Sequence, residues 1–244
     1  MPQPLDHPDG PAAPVVLARA DSGHGEIALR RRGEILELVV DGVFAMDTAH
    51  TATEVALATL ALQRLGARPG PAQARGLRVL VGGLGLGFTT RAVLSDPRVA
   101  AVEVVELQPR LVDWVRTGLV PPAAGLLDDA RVRVSIGDVG EVVAGRAPGG
   151  LDAILLDVDN GPGFLVHEGN AALYRTPFLR AALAALAPGG VLAVWSADPS
   201  PDLPGLLREA GGDEVDEVPL DVERDGRRFR YAVYLARRPV SRAN

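Results

Sequence analysis

The chain has 244 residues, 47% hydrophobic and 4% aromatic, which is enough aliphatic material for one large domain or a domain with a small appendage. It has no cysteine, and all 25 of its basic residues are arginine. Disulfides, thiolate metal sites, cysteine nucleophiles, Schiff-base lysines and a P-loop lysine are therefore excluded, and four dispersed histidines make no transition-metal site. A net charge of −6 argues against a nucleic-acid partner. No apolar run reaches membrane-spanning length. Residues 1–14, rich in Pro and Asp, lack the basic and apolar regions of a signal peptide and read as a flexible tail. The expected location is the cytoplasm.

Residues 15–20, 26–31 and 34–40 carry strand patterns punctuated by Gly23, Gly25 and Arg32-Gly33, and Asp41-Gly42 adds a turn signal. They predict a small antiparallel β region over 15–50. The period changes at Thr51: Val55, Leu57, Leu60, Leu62 and Leu65 predict a helix, and 67–76 reads as a loop. From there to residue 240 a nucleoside-binding α/β unit, counted from residue 51, is expected. Strands at 77–82, 101–106, 131–136, 152–156 and 191–196 alternate with helices at 88–95, 109–117, 139–144 and 171–186, the last ended by Pro188-Gly189-Gly190. A helix near 202–210 precedes strands at 214–222 and 228–236, joined through an Asp-Gly hairpin signal at 225–226. The fold class is thus α/β. Its sheet is mostly parallel with an antiparallel C-terminal hairpin, as in class I S-adenosylmethionine methyltransferases, and a small antiparallel β appendage precedes it.

The turn Gly82-Gly83-Leu84-Gly85-Leu86-Gly87 follows a strand and opens a helix. No register gives the dinucleotide pattern G-x-G-x-x-G. From Gly83 through Gly85 to Gly87 it reads G-x-G-x-G, the form usual for S-adenosyl nucleosides. Glu106 ends the next strand, where a carboxylate can accept both hydroxyls of a ribose, with Leu107 beside it. Asp138 can accept from an adenine amino group while the Val139 N–H donates to the ring, and Asp138 is equally a preferred helix N-cap. Asp157, Asp159 and Asn160 leave the fourth strand toward the same crevice. Asp157 follows an apolar strand, so its pKa is expected to rise, and it can orient or deprotonate an attacking amine. A turn built from Asp, Asn and Gly is the competing account of Asp159. Tyr174 either lines an acceptor site or packs with its hydroxyl bonded. His50 reads as a surface or capping residue, His167 as part of a lid or an ordinary loop, and Trp114 and Trp195 as packing residues.

The order of these motifs resembles spermidine synthases and their relatives over roughly residues 24–200. Val40-Asp41-Gly42, Glu54, VLVGGLGLG, VVELQP, the GDV at 137–139, LDAILLDVDNGP, Leu173-Tyr174 and LAPGGVLAVWS all take part. The resemblance implies a transferase in which Glu106 binds ribose, Asp138 binds adenine and Asp157 is the catalytic acid-base residue, with Asp159 a candidate to share that role. Glu54, Asn160 and Tyr174 are implied acceptor contacts. It departs from the family in three places. The glycine turn has no acid, Ala52-Thr53-Glu54 stands where the family has Tyr-His-Glu, and Asn160 replaces the second acid of D-x-x-D. With leucines where the family's turn carries an acid, the expected donor is intact S-adenosylmethionine and methyl transfer to a small nucleophile is slightly favoured. Aminopropyl transfer from decarboxylated S-adenosylmethionine and non-catalytic nucleoside binding are the alternatives. The acceptor is expected to be a small molecule, an amine among the candidates, and a homodimer is left open.

Overall fold

The structure, a computed structural model, describes residues 13–66, 75–224 and 226–240. Most of the loop expected over 67–76, the tail over 1–12 and Asp225 of the hairpin turn lie outside the described residues. The chain opens with four antiparallel strands in sequential order: β1 (Val15–Ser22), β2 (Gly25–Arg32), β3 (Ile35–Val40) and β4 (Val43–Asp47). The fourth strand was not expected. Asp41 (φ 48°) and Gly42 (φ 77°) both adopt positive φ, the backbone of a two-residue hairpin turn, and Val40 pairs with Val43 across it. The Asp-Gly signal therefore turns the chain back into the sheet, and β4 delivers Met46 to the crevice.

Helix α1 (Ala52–Leu65) leads into a seven-stranded sheet. It is built from β5 (Leu77–Gly82), β6 (Val99–Glu106), β7 (Val132–Ile136), β8 (Leu151–Leu156), β9 (Leu186–Ser196), β10 (Asp213–Arg224) and β11 (Arg227–Arg237). The order is β10-β11-β9-β8-β5-β6-β7, with β5 to β9 parallel and β11 antiparallel to both β9 and β10. The helices between them are α2 (Phe88–Leu94), α3 (Pro109–Arg116), α4 (Val139–Ala144), α5 (Thr176–Ala185) and α6 (Leu203–Glu209).

All six residues of β8 are buried, as expected of a central parallel strand covered on both faces. Alternation sorts the side chains. Val79, Val81, Ala153, Leu155, Val191 and Ala193 pack with α1, α2 and α3, whereas Leu80, Ile154, Leu156, Leu192 and Val194 pack with α4, α5 and α6. Ile27, Leu29 and Leu38 join the first core, so the small sheet sits on that side. Because the chain runs outward from β5 to β6 and β7 on one side and to β8 and β9 on the other, a crevice opens at the carboxyl ends of β5, β6 and β8.

Two boundaries differ from the sequence pattern. The helix expected over 171–186 begins only at Thr176, because Glu168–Tyr174 forms a tighter 3₁₀ turn and Arg175 is extended (φ −104°, ψ 149°). Pro177, without an N–H to donate, is at home in a first helical turn. Strand β9 begins at Leu186, so Pro188-Gly189-Gly190 lies inside it as a bulge: Leu151 pairs with Leu186 and Ala153 with Val191. Arg238 stabilises the bulge by accepting from the Gly189 N–H at 2.9 Å and donating to the Gly190 carbonyl at 2.8 Å.

Candidate active site

The glycine turn leaves β5 with the Gly83 N–H bonded to the Val105 carbonyl at 2.8 Å. Gly83 has φ +89°, and a Cβ there would run into the carbonyl oxygen of Asp157. Gly85 has φ +50°, and its Cβ would lie 2.6 Å from Met46 Sδ. These glycines let two other walls of the crevice close on the turn, and both line the resulting cavity. Leu84 and Leu86 are 4% and 0% exposed and belong to the core beneath. Their side chains do not line the cavity, so the inference that leucine there sets donor choice is corrected: the turn meets the ligand space with glycine.

Glu106, at the end of β6, is buried, and each carboxylate oxygen is held by the backbone: Oε2 accepts from the Leu84 N–H at 2.7 Å and Oε1 from the Gln108 N–H at 2.8 Å. Burial pushes its pKa up and these bonds oppose the shift. The Leu107 and Gly85 backbone N–H groups also act on it, so the carboxylate is fixed in orientation at the cavity wall. Asp138 caps α4, with Oδ1 accepting from Gly140 (2.5 Å) and Glu141 (3.3 Å). The cap is realised, and among the described residues Oδ2 has no donor. Leu107 and Val139 line the same cavity.

Asp157 and Glu54 face each other across the floor. Thr89 donates to Asp157 Oδ2 at 2.6 Å, and Thr53 donates to Glu54 Oε2 at 2.7 Å. Burial raises Glu54 well above the ordinary carboxylate range and the neighbouring Asp157 charge adds to it. Burial also raises Asp157, with the Thr89 bond pulling the other way. Two adjacent buried carboxyls resist ionising together.

Asp159 is spent on the loop that follows. Its Oδ1 accepts from the N–H groups of Asn160 (2.9 Å) and Val166, and Oδ2 from Asn170 Nδ2 at 3.0 Å. Burial outweighs these bonds and raises its pKa. Asn160 lines the cavity and donates to the Phe44 carbonyl at 3.5 Å. Gly87 and Tyr174 are not in its lining. Gly87 packs on Ala123 and Leu126, and the Tyr174 hydroxyl, buried behind the acids, is pushed strongly upward by burial and then by Asp159 and Asp157.

The first cavity has a volume of about 130 Å³ beneath an open mouth. Five carboxyls line it (Glu54, Glu106, Asp138, Asp157 and Asp159), and among the described residues no arginine does. Gln108 was not singled out in the sequence. It ties the β1–β2 turn to this wall, accepting from Ser22 Oγ at 2.7 Å and donating to the His24 carbonyl at 2.8 Å. His24 and His167 meet edge to face, 6.3 Å apart, at the rim.

A second cavity adjoins the first through Met46, Glu54, Asn160 and Trp195. Its other walls come from β4, the start of α1 and the C-terminal hairpin, including His50, Arg224 and Tyr231. Trp195, expected only to pack, is indeed 8% exposed, yet it lines both cavities and stands edge to face with Tyr231 at 5.4 Å. The available clue was scarcity: in a chain this poor in aromatics, a Trp at the carboxyl end of a parallel strand is aimed at the crevice.

A profile of the spermine/spermidine synthase domain matches residues 61–202. The chain belongs to the spermine/spermidine synthase family. It is 33% identical over 192 residues to a polyamine aminopropyltransferase of Mycobacterium tuberculosis, a match covering 77% of this chain and 34% of the relative. A putrescine N-methyltransferase of Nicotiana tabacum is 33% identical over 130 residues, covering 52% of this chain and 30% of the relative. The chain thus spans about a third of the length of these curated relatives. Spermidine synthase from Thermotoga maritima superposes with a TM-score of 0.74 at 18% identity, over 93% of this chain and 74% of that one. A spermidine synthase in complex with the transition-state analogue AdoDATO gives 0.73, also at 18%, over 93% and 75%. These likenesses agree with the expected fold class. No helix among the described residues is long and apolar enough to cross a membrane.

Proposed function

We propose that this chain transfers the aminopropyl group of decarboxylated S-adenosylmethionine to an amine. The observation that carries the proposal is the lining of the first cavity: five carboxyls and, among the described residues, no arginine. The tail of intact S-adenosylmethionine carries a carboxylate, which would enter beside Glu54 and Asp157 with no cation to meet it. The decarboxylated donor brings only an ammonium. Its match to the mycobacterial aminopropyltransferase is also longer than its match to the N-methyltransferase. Both considerations reverse the preference for methyl transfer drawn from the turn leucines.

In this reading Glu106 accepts the ribose hydroxyls, Asp138 Oδ2 accepts from adenine, Val139 donates to the ring, and Leu107 with the glycine turn shapes the walls. Asp157, its basicity raised by burial, takes a proton from the acceptor ammonium. The freed amine attacks the aminopropyl carbon next to sulfur; the new N–C bond forms, the C–S bond breaks, and its electron pair returns to sulfur, leaving a neutral thioether nucleoside. Glu54 holds the cationic end of the donor or acceptor, and Asn160 lies where the two cavities join. Asp159 anchors the loop and takes no part in proton transfer, and Tyr174 acts from behind the acids. The test is product analysis with each donor and a mixture of primary amines. The proposal predicts 5′-methylthioadenosine from the decarboxylated donor and no S-adenosylhomocysteine from the intact one. S-adenosylhomocysteine as the nucleoside product would replace it with methyl transfer.

A further inference from the structure

The wall of the second cavity holds a charge arrangement, with Arg224 on its surface and Asp47 behind it, that the transfer reaction does not use. Asp47, the last residue of β4, is 7% exposed. Its Oδ1 accepts from the N–H groups of Ala49 (2.9 Å) and His50 (2.8 Å), and its Oδ2 accepts from Arg224 Nη2 at 2.7 Å. Arg224 comes from the far end of the molecule's other sheet. Strand β11 pairs with β9 only from Ala232 to Arg237, so the hairpin beyond them extends past the sheet edge and carries Arg224 over the cavity. The guanidinium sits 4.5 Å above the Phe44 ring, and its Nε lies 3.4 Å from His50 Nδ1. An arginine held by a carboxylate and an aromatic face is a fixed part of the wall.

Given the amine-transfer reading above, on which this inference rests, we propose that Arg224 determines acceptor specificity. It covers Asp47, which does not itself line the cavity, and presents its guanidinium in the wall where a second ammonium would lie, and so selects amines with one cationic end and an apolar tail over diamines. Four of the chain's ten aromatic residues, Phe44, Phe164, Trp195 and Tyr231, line this cavity. The tail of an acceptor whose amine lies at Glu54 and Asp157 runs between them. The remaining acids offer little to a second ammonium. Asp221 and Glu223 lie on the exposed face of β10, where Asp221 pairs with Arg230 at 3.1 Å and Glu223 lies opposite Arg228. Asp198 is exposed at the rim, where ion pairs gain little. A diamine entering this cavity must displace Arg224 from Asp47 or place its second charge against the guanidinium, and either discriminates against it.

The test is calorimetric titration of the full chain, saturated with 5′-methylthioadenosine, with n-pentylamine and with 1,5-diaminopentane. These differ only in the second ammonium. The wild type is expected to bind the monoamine more tightly. Arg224→Gln frees Asp47 and shifts the affinity ratio toward the diamine by about 10-fold. Asp47→Asn, which keeps an oxygen for the Ala49 and His50 N–H groups, leaves Arg224 uncompensated and shifts the ratio the other way. Tighter diamine binding by the wild type, an unchanged ratio in Arg224→Gln, or no binding of either amine to any variant overturns the proposal. Repeating the titrations without nucleoside separates the two readings. Failure of the nucleoside to bind removes the transfer reaction, while the amine ratio still decides the role of Arg224.

Discussion

The two cavities are built by different means. One wall of the first comes from segments that each leave a parallel strand by a residue or two, the glycine turn after β5, Glu106 ending β6, Asp138 after β7 and Asp157 after β8, and the small sheet with Met46 closes the other. On the strand-end wall Glu106 is held by the Leu84 and Gln108 N–H groups and Asp138 by those of Gly140 and Glu141. The second is assembled by tertiary contact. Asp47 and Arg224 stand 177 positions apart and meet only because β4 and the hairpin tip converge. A site made of local backbone is rigid and general to its fold, whereas one made where distant elements meet can be rebuilt by changing either. In the proposed reading, donor recognition falls in the first region and acceptor choice in the second.

The largest effect that would sharpen this contrast belongs to the glycine turn. Gly83→Ala demands a positive φ of alanine and drives its Cβ into the Asp157 carbonyl, so a stability loss of about 2 kcal/mol or more and loss of donor binding are expected in thermal melts and calorimetry. Asp157→Asn keeps an acceptor for the Thr89 hydroxyl but cannot take a proton. The turnover rate should fall roughly 10²- to 10⁴-fold with donor affinity nearly unchanged, and a loss confined to donor affinity would remove Asp157 from the chemistry. Glu106→Gln turns an amide NH₂ toward the backbone N–H donors that hold the carboxylate, and donor affinity should drop about 10- to 100-fold.

The smallest effect concerns pH. Glu54 and Asp157 have native pKa values raised above their unfolded ones, so the unfolded chain loses these protons first as pH rises. In that window the native state binds more protons, and stability falls as pH climbs from the ordinary carboxylate range through the raised native values. The melting temperature of the free protein should therefore decline between about pH 5 and about pH 8, and Glu54→Gln should flatten the decline. Equal slopes in the two proteins would show that Glu54 is ionised throughout.

The sequence exposed the first region better than the second, and for the same structural reason. Each donor-side residue is preceded by its own strand, so Glu106, Asp138 and Asp157 could be placed from strand patterns alone, and the α/β alternation with its closing hairpin is visible in the same periodicities. A tight turn has no period, so nothing in Gly-Leu-Gly-Leu-Gly revealed that both leucines point into the core. Strand β4 was hidden because its five residues follow an Asp-Gly signal that reads as a stop. Met46, Tyr231 and Arg224 carry no local motif, and their importance follows from which segments the fold brings together.

The division of labour between the cavities can be tested most directly by measuring donor affinity and acceptor affinity in two variants, Glu106→Gln and Arg224→Gln, under identical conditions. The account predicts a crossed result: Glu106→Gln weakens the decarboxylated donor and leaves the pentylamine-to-diamine ratio alone, and Arg224→Gln changes the ratio and leaves donor affinity alone. If both variants moved both quantities together, the two cavities would be a single site and the assignment of donor and acceptor to separate regions would be wrong.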